Sequence, residues 1–195
     1  MTSTGAVLVF ALFLASTGLS SAQQPSRTTT EFLRTSCSAT AYPSLCYSSL
    51  SRHANLIQTS PKLLASTALG VTLDSVRSTS AMMATLSRRE GMTPREQGAM
   101  RDCVEQLAEA VDGIKNSIDE MGHITGSNFA LTMNDVQTWV STALTDETTC
   151  SDGFSGQPMN GDVKMQVRDG IVTVAHLTSN ALALVNRYAS GGIHA

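Results

Sequence analysis

Between Met100 and Met121, seven apolar residues recur at alternating steps of four and three: Met100, Val104, Leu107, Val111, Ile114, Ile118 and Met121. That spacing lines them along one stripe of an α-helix, and so regular a stripe packs against other helices at a shallow angle. Just upstream, Thr93-Pro94-Arg95-Glu96 offers an N-cap, a first helical position and a capping-box partner, while Gly122 supplies a stop. Aromatic residues are 5 % of the chain, too few for a typical all-β core, and hydrophobic residues at 42 % suffice for a packed one. A helical fold is the reading that the pattern allows.

The same logic extends along the chain. Pro61 opens a helix running to about Arg89, with Ala65, Leu69, Thr72, Val76, Thr79, Met83 and Leu86 in the same alternation, broken at Glu90-Gly91-Met92. A third helix is expected from about Thr132 to Thr145 on Met133, Val136, Val140 and Ala143. A fourth runs from about Asp162 to Tyr188 on Val163, Val167, Val174, Leu177, Ala181 and Leu184, with linkers at 90–93, 122–131 and 151–161. Ahead of them, Glu31–Ser36 and Ser44–Leu56 fold about Pro43 as two short helices, after a flexible lead over 23–30. The expected architecture is all-α: an antiparallel four-helix bundle (61–190) preceded by an N-terminal helical hairpin (31–56), within one domain of 31–190.

Residues 6–15 form an uninterrupted apolar run, followed by Ser20 and Ala22 at the −3 and −1 places of a cleavage site. Residues 1–22 therefore read as a secretory signal peptide, although Met1–Gly5 carries no Lys or Arg. No run approaches the eighteen or so residues of a membrane span, so no membrane association is expected once the signal is removed. Net charge is −3, which argues against nucleic acid as a partner. Secretion sets the fate of Cys37, Cys46, Cys103 and Cys150: two disulfides, in one of three connectivities. Cys37 and Cys46 bracket the turn Thr40-Ala41-Tyr42-Pro43, which favours a local staple and leaves Cys103 with Cys150. Loop-closure entropy gives roughly 2.5 kcal/mol for the short loop and about 4 kcal/mol for the long one. Paired Cys or His at metal-ligand spacing is absent, so neither a metal nor a cofactor is expected.

Catalytic chemistry is not apparent. The run Gly153-Phe154-Ser155-Gly156-Gln157 lacks the spacing and the strand–turn–helix setting of a nucleophile elbow, and no phosphate-cradling loop occurs. What stands out is an acidic line beside the best seam. Asp102, Glu105, Glu109, Asp112 and Asp119 step by threes and fours, with Asn116 filling the gap, and Lys115 is the sole cation in that span. The line is either a wet surface or a docking face for a basic partner.

Cys37-x8-Cys46 with Tyr42-Pro43, and the stretches 100–121, 135–154 and 177–185, resemble the plant invertase and pectin methylesterase inhibitor family over essentially the whole mature chain. The resemblance implies a four-helix bundle behind a helical hairpin, with disulfides joining first to second and third to fourth Cys. The connection 122–132 lacks the Pro-Lys-Phe segment of invertase inhibitors, and 135–150 is similar to the pectin methylesterase branch, including pro-regions of some of those enzymes. A free-standing, secreted inhibitor in the apoplast is the expectation, acting by occlusion and without enzymatic activity of its own. Invertase inhibition is the alternative, and a non-inhibitory receptor-binding bundle a third reading. Oligomeric state is left open by the residues. For the pectin methylesterase branch, the resemblance implies a one-to-one complex covering the enzyme's pectin groove. It points to Glu105, Glu109 and Asp112, to Gln137, and to Thr149 and Asp152. Position 137 is Gln where Asn can occur, and 109 is Glu where Asp can occur. The structural alternatives are a local backbone hydrogen bond for Thr149 and core packing for Trp139.

Overall fold

A computed structural model describes residues 26–155, 159 and 161–192. The signal peptide read over 1–22 lies outside the described residues, as do residues 23–25 of the lead. The elements are α1 (Arg27–Ser38), α2 (Pro43–Leu50), a single 3-10 turn at Ser51–His53, α3 (Ala54–Ile57), α4 (Pro61–Leu86), α5 (Pro94–Gly122), α6 (Phe129–Gly153) and α7 (Asp162–Gly192). No strand occurs among the described residues. Helices α4, α5, α6 and α7 form the bundle, in which α5 lies against α4 and α6, and α7 closes the ring against the same two.

Local chemistry explains the boundaries. Thr93 Oγ1 accepts from the Glu96 N–H and the Glu96 carboxylate accepts from the Thr93 N–H at 2.8 Å, so the expected capping box starts α5. Gly91, at φ +86°, turns the chain between α4 and α5 in a region where a side chain is strained. The chain's 47 Ser and Thr are poor helix formers, yet many turn their hydroxyls to the carbonyl one turn back, as Thr72 does to Ala68 at 2.9 Å.

The hairpin departs from expectation at its start. Residues 27–30 belong to α1, because Ser26 Oγ accepts from the Thr29 N–H and caps a helix that begins four residues before Glu31. The expected second short helix, Ser44–Leu56, is divided by the 3-10 turn. Disulfide Cys37–Cys46 closes the hairpin, and the second, Cys103–Cys150, ties α5 to α6. The hairpin is held to the bundle by Asn180 of α7, which accepts from the Tyr42 N–H and donates to the Tyr42 carbonyl, both at 3.0 Å. The Tyr42 ring stacks on His176 of the same helix with centroids 3.6 Å apart.

Burial follows the seams with one rotation. Every residue of the α4 stripe is buried, as are Met133, Val136, Val140 and Ala143 of α6. In α5, however, Val104, Val111 and Ile118 are only half-buried, and the interior positions between the large residues belong to Cys103, Ala110 and Ser117. The cause is close approach. A Cβ at Gly113 would sit 3.2 Å from the Trp139 carbonyl oxygen, so α6 lies tight against the side of α5 that carries small residues. α6 also continues to Gly153, eight residues beyond the expected end, and α7 continues to Gly192.

This contact makes two glycines of α5 behave oppositely. Gly98 has open space where a Cβ would go, so Gly98→Ala should gain stability by roughly 0.5–1 kcal/mol through helix propensity. Gly113→Val should instead lose about 1–3 kcal/mol by forcing the helices apart. Thermal melts followed by circular dichroism distinguish them; shifts in the same direction would mean that Gly113 does not set the α5–α6 distance.

Candidate protein-docking face

The exposed surface of the α5–α6 pair is built from two helices of different chemistry. On α5, Asp102, Glu105, Glu109, Asp112 and Asp119 are all exposed, as the three-and-four spacing requires of one face. None of the five forms an ion pair among the described residues, where the pair found is Arg34–Glu31 at the hairpin. α6 carries no Lys, Arg or His anywhere between Phe129 and Gly153. Its outward ridge is hydroxylic: Thr138, Thr145 and Thr149 are exposed and bond back to the carbonyls of Asn134, Ser141 and Thr145 at 2.8, 3.0 and 2.7 Å. The backbone role considered for Thr149 is therefore present, and its oxygen lone pairs still face solvent.

The six expected contact positions fall into three groups. Glu105, Glu109 and Asp112 form the carboxylate wall. Thr149 and Asp152, at the C-terminal end of α6, share a groove of about 410 Å³ with Arg95, Asp102 and Gln106 of α5, immediately beside the Cys103–Cys150 bridge. Gln137 lies apart from both. It is half-buried on the other flank of α6, where its Nε2 donates to Asn186 Oδ1 of α7 at 2.8 Å. Trp139 is half-buried, with its backbone carbonyl facing Gly113, and it is not among the residues that form the hydrophobic core.

Two acidic residues of α6 went unnoticed in the sequence. Asp146 is half-buried beside the wall, and its Oδ2 is buried without a hydrogen-bond partner. Burial raises its carboxyl pKa, and the negative charge of Glu109 across the seam raises it further. Glu147 is 0 % exposed, on the core-facing stripe with Ala143 and Cys150, and its Oε1 lies 2.7 Å from Thr178 Oγ1 of α7. Desolvation pushes its pKa from 4.5 up to about 8; the Thr178 hydrogen bond opposes that rise and Asp146 adds to it. The available signal was the register of the α6 stripe: continued past Ala143 by four and then three, it lands on Glu147 and Cys150.

Comparison with known proteins bears on the family and the fold. Residues 31–184 match the plant invertase/pectin methylesterase inhibitor family. The chain belongs to this family. Among similar proteins, the "21 kDa protein" of Daucus carota is 46 % identical over 167 residues, 84 % of this chain and 86 % of that one. "Pectinesterase inhibitor 11" of Arabidopsis thaliana is 43 % identical over 187 residues, 94 % of this chain and 93 % of its own length. A solved structure of a mutant form of a pectin methylesterase inhibitor from Arabidopsis superposes with a TM-score of 0.63 at 23 % identity, covering 77 % of this chain and 92 % of that one. At that identity the match speaks for the shared helical fold. The family fold thus presents, in this member, a cation-free α6 beside a carboxylate-lined α5.

Coupling between Glu109 and Asp146 is directly measurable. Carbon-13 carboxyl titration of the Glu109→Gln variant should show the Asp146 pKa falling towards its ordinary value. An unchanged Asp146 titration would remove Glu109 as a source of the shift.

Proposed function

We propose that the protein is a secreted inhibitor of pectin methylesterase that binds the enzyme one-to-one and covers its pectin-binding groove. The observation that carries this reading is the unneutralised wall of α5: five exposed carboxylates, none paired within the described fold, next to a helix without a single cation. Such a face repels acidic surfaces and accelerates encounter with a basic one, while the close-packed α5–α6 pair holds the charges in fixed register. Family membership, with relatives named pectinesterase inhibitors at 43–44 % identity, supports the enzyme class.

In this reading Glu105, Glu109 and Asp112 supply charge, and Thr149 and Asp152 supply hydrogen-bond acceptors at the disulfide-linked end. Gln137 contributes the carbonyl oxygen and second N–H that its bond to Asn186 leaves over. The action is steric. The chain is an inhibitor protein and not an enzyme. Secretion is part of the proposal: it rests on the signal-like residues 1–22 and on two disulfides, which persist in oxidising compartments. No helix among the described residues is long and apolar enough to cross a membrane.

The test is a titration of the purified protein against a plant pectin methylesterase and, in parallel, an acid invertase. Inhibition of the first at one-to-one stoichiometry is expected; inhibition of the invertase alone would transfer the assignment, and inhibition of neither would leave a receptor-binding bundle. The double variant Glu105→Lys with Glu109→Lys should weaken inhibition of the methylesterase at least a hundredfold with unchanged helicity, since like charges facing each other across an interface cost several kcal/mol. Full inhibition by that variant would dismiss the carboxylate wall as the contact.

A further inference from the structure

Glu147 is the one titratable side chain that is fully buried among the described residues, and the docking reading makes no use of it. Its hydrogen bonds bear on its protonation. Thr178 Oγ1 lies 2.7 Å from Glu147 Oε1 and 3.1 Å from the Val174 carbonyl oxygen. A hydroxyl has one proton and cannot donate to both acceptors at once. An un-ionised Glu147 resolves the conflict: its own O–H donates to Thr178 Oγ1, and Thr178 donates to Val174. An anion would instead take the Thr178 proton for one oxygen and leave Oε2 charged, buried and without a partner.

We propose that un-ionised Glu147 is a positioning residue, locking α6 to α7 so that the docking residues of α6 are held in place, and that its ionisation releases them. The second half rests on the reading that Thr149 and Asp152 face the enzyme. Both belong to the same continuous helix as Glu147, Thr149 two residues and Asp152 five residues further on. An anion at 147 reaches water only if this end of α6 moves away from α7, and Thr149 and Asp152 move with it.

No cation stands ready to keep the anion in the core. Among the described residues, those that α5, α4 and α7 bury there are uncharged, including Leu107 and Ala110, Val76 and Met83, and Val174 and Ala181. The charge that acts on Glu147 is Asp146, its neighbour in sequence, and Glu109 of α5 acts on Asp146 in turn. His176 of α7 is engaged with the Tyr42 ring. All the acidic neighbours therefore push the same way, against ionisation. The unfolded chain ionises at the ordinary 4.5 and the folded one at about 8. Folding consequently takes up a proton between those values. The stability that Glu147 contributes is complete below about pH 4.5, declines as pH rises, and is gone once the folded group ionises near 8.

The deciding variant is Glu147→Gln, whose amide can donate to Thr178 as the acid does but cannot ionise. Thermal midpoints of both proteins are followed from pH 4.5 to 9.5, and inhibition of one pectin methylesterase is titrated at pH 6 and pH 9. Taking the variant-to-wild-type ratio at each pH cancels the enzyme's own titration. Expected are midpoints that diverge as pH rises, with the variant the more stable, and inhibition that is equal at pH 6 but at least tenfold stronger for the variant at pH 9. Parallel midpoint curves would overturn the un-ionised state. Diverging curves with an unchanged inhibition ratio would overturn the control of docking. If neither protein inhibits at any pH, the docking half falls with the proposed function, while the midpoints still decide the protonation state. Should the variant fail to fold, carbon-13 titration of Glu147 in the wild-type protein decides it instead, an ordinary pKa being the overturning result.

Discussion

The approach of α5 to α6 is the constraint on which the rest of the molecule depends. A disulfide fixes the two helices at Cys103 and Cys150, and Gly113 lets the α5 backbone come up to the Trp139 carbonyl. The small residues Cys103, Ala110 and Ser117 then face inward, and the bulkier Val104, Val111 and Ile118 are pushed toward the margin. With α5 rotated in this way, its carboxylate line stands on the outer wall beside the hydroxyl ridge of α6. Position along the chain sets which residues are acidic; the depth of the α5–α6 contact decides where they point.

Much of this was legible in the residues. The α4 stripe is legible residue by residue: its four-and-three alternation marks the buried face even where Ala65, Thr72 and Thr79 stand in it. Thr93 and Glu96 announced their capping box, and the nine-residue spacing of Cys37 and Cys46 anticipated the local bridge. The α5 seam has the right period: Met100, Leu107, Ile114 and Met121 are buried, while Val104, Val111 and Ile118 pack against the core from its half-buried margin. Apolarity cannot register that a helix turns its small side when its neighbour comes close, since Gly113 and Ser117 look like interruptions in the pattern. The helical start at Arg27 was hidden by three consecutive β-branched Thr residues, whose weak propensity is overcome by the Ser26 cap and by packing of Thr29 and Leu33.

The candidate site was legible where it is exposed and illegible where it is buried. Glu105, Glu109 and Asp112 repeat at helical spacing, so their common face could be stated without coordinates. Asp146 and Glu147 lie just past Thr145, beyond the apolar residues on which the expected helix rests, yet they belong to α6. A buried carboxyl leaves no trace in a charge pattern, because its neutrality is produced by the surroundings. The pairing of Gln137 with Asn186, residues 49 apart in sequence, is likewise a product of the bundle.

The clasp between Asn180 and Tyr42 joins positions 138 residues apart, and both of its bonds are to the backbone. The hairpin can therefore form and close its own bridge as soon as residues 27–57 are available and can rest on α4, but its hydrogen-bonded clasp is completed only when α7 exists. In a chain made from its N-terminus, the first structure to be completed is thus the last to be seated. Long-range closure of this kind is slow compared with helix formation. The two bonds of the clasp use only the backbone of residue 42, so the final seating of the hairpin is written in Asn180 of α7, with the Tyr42 ring adding its stack on His176.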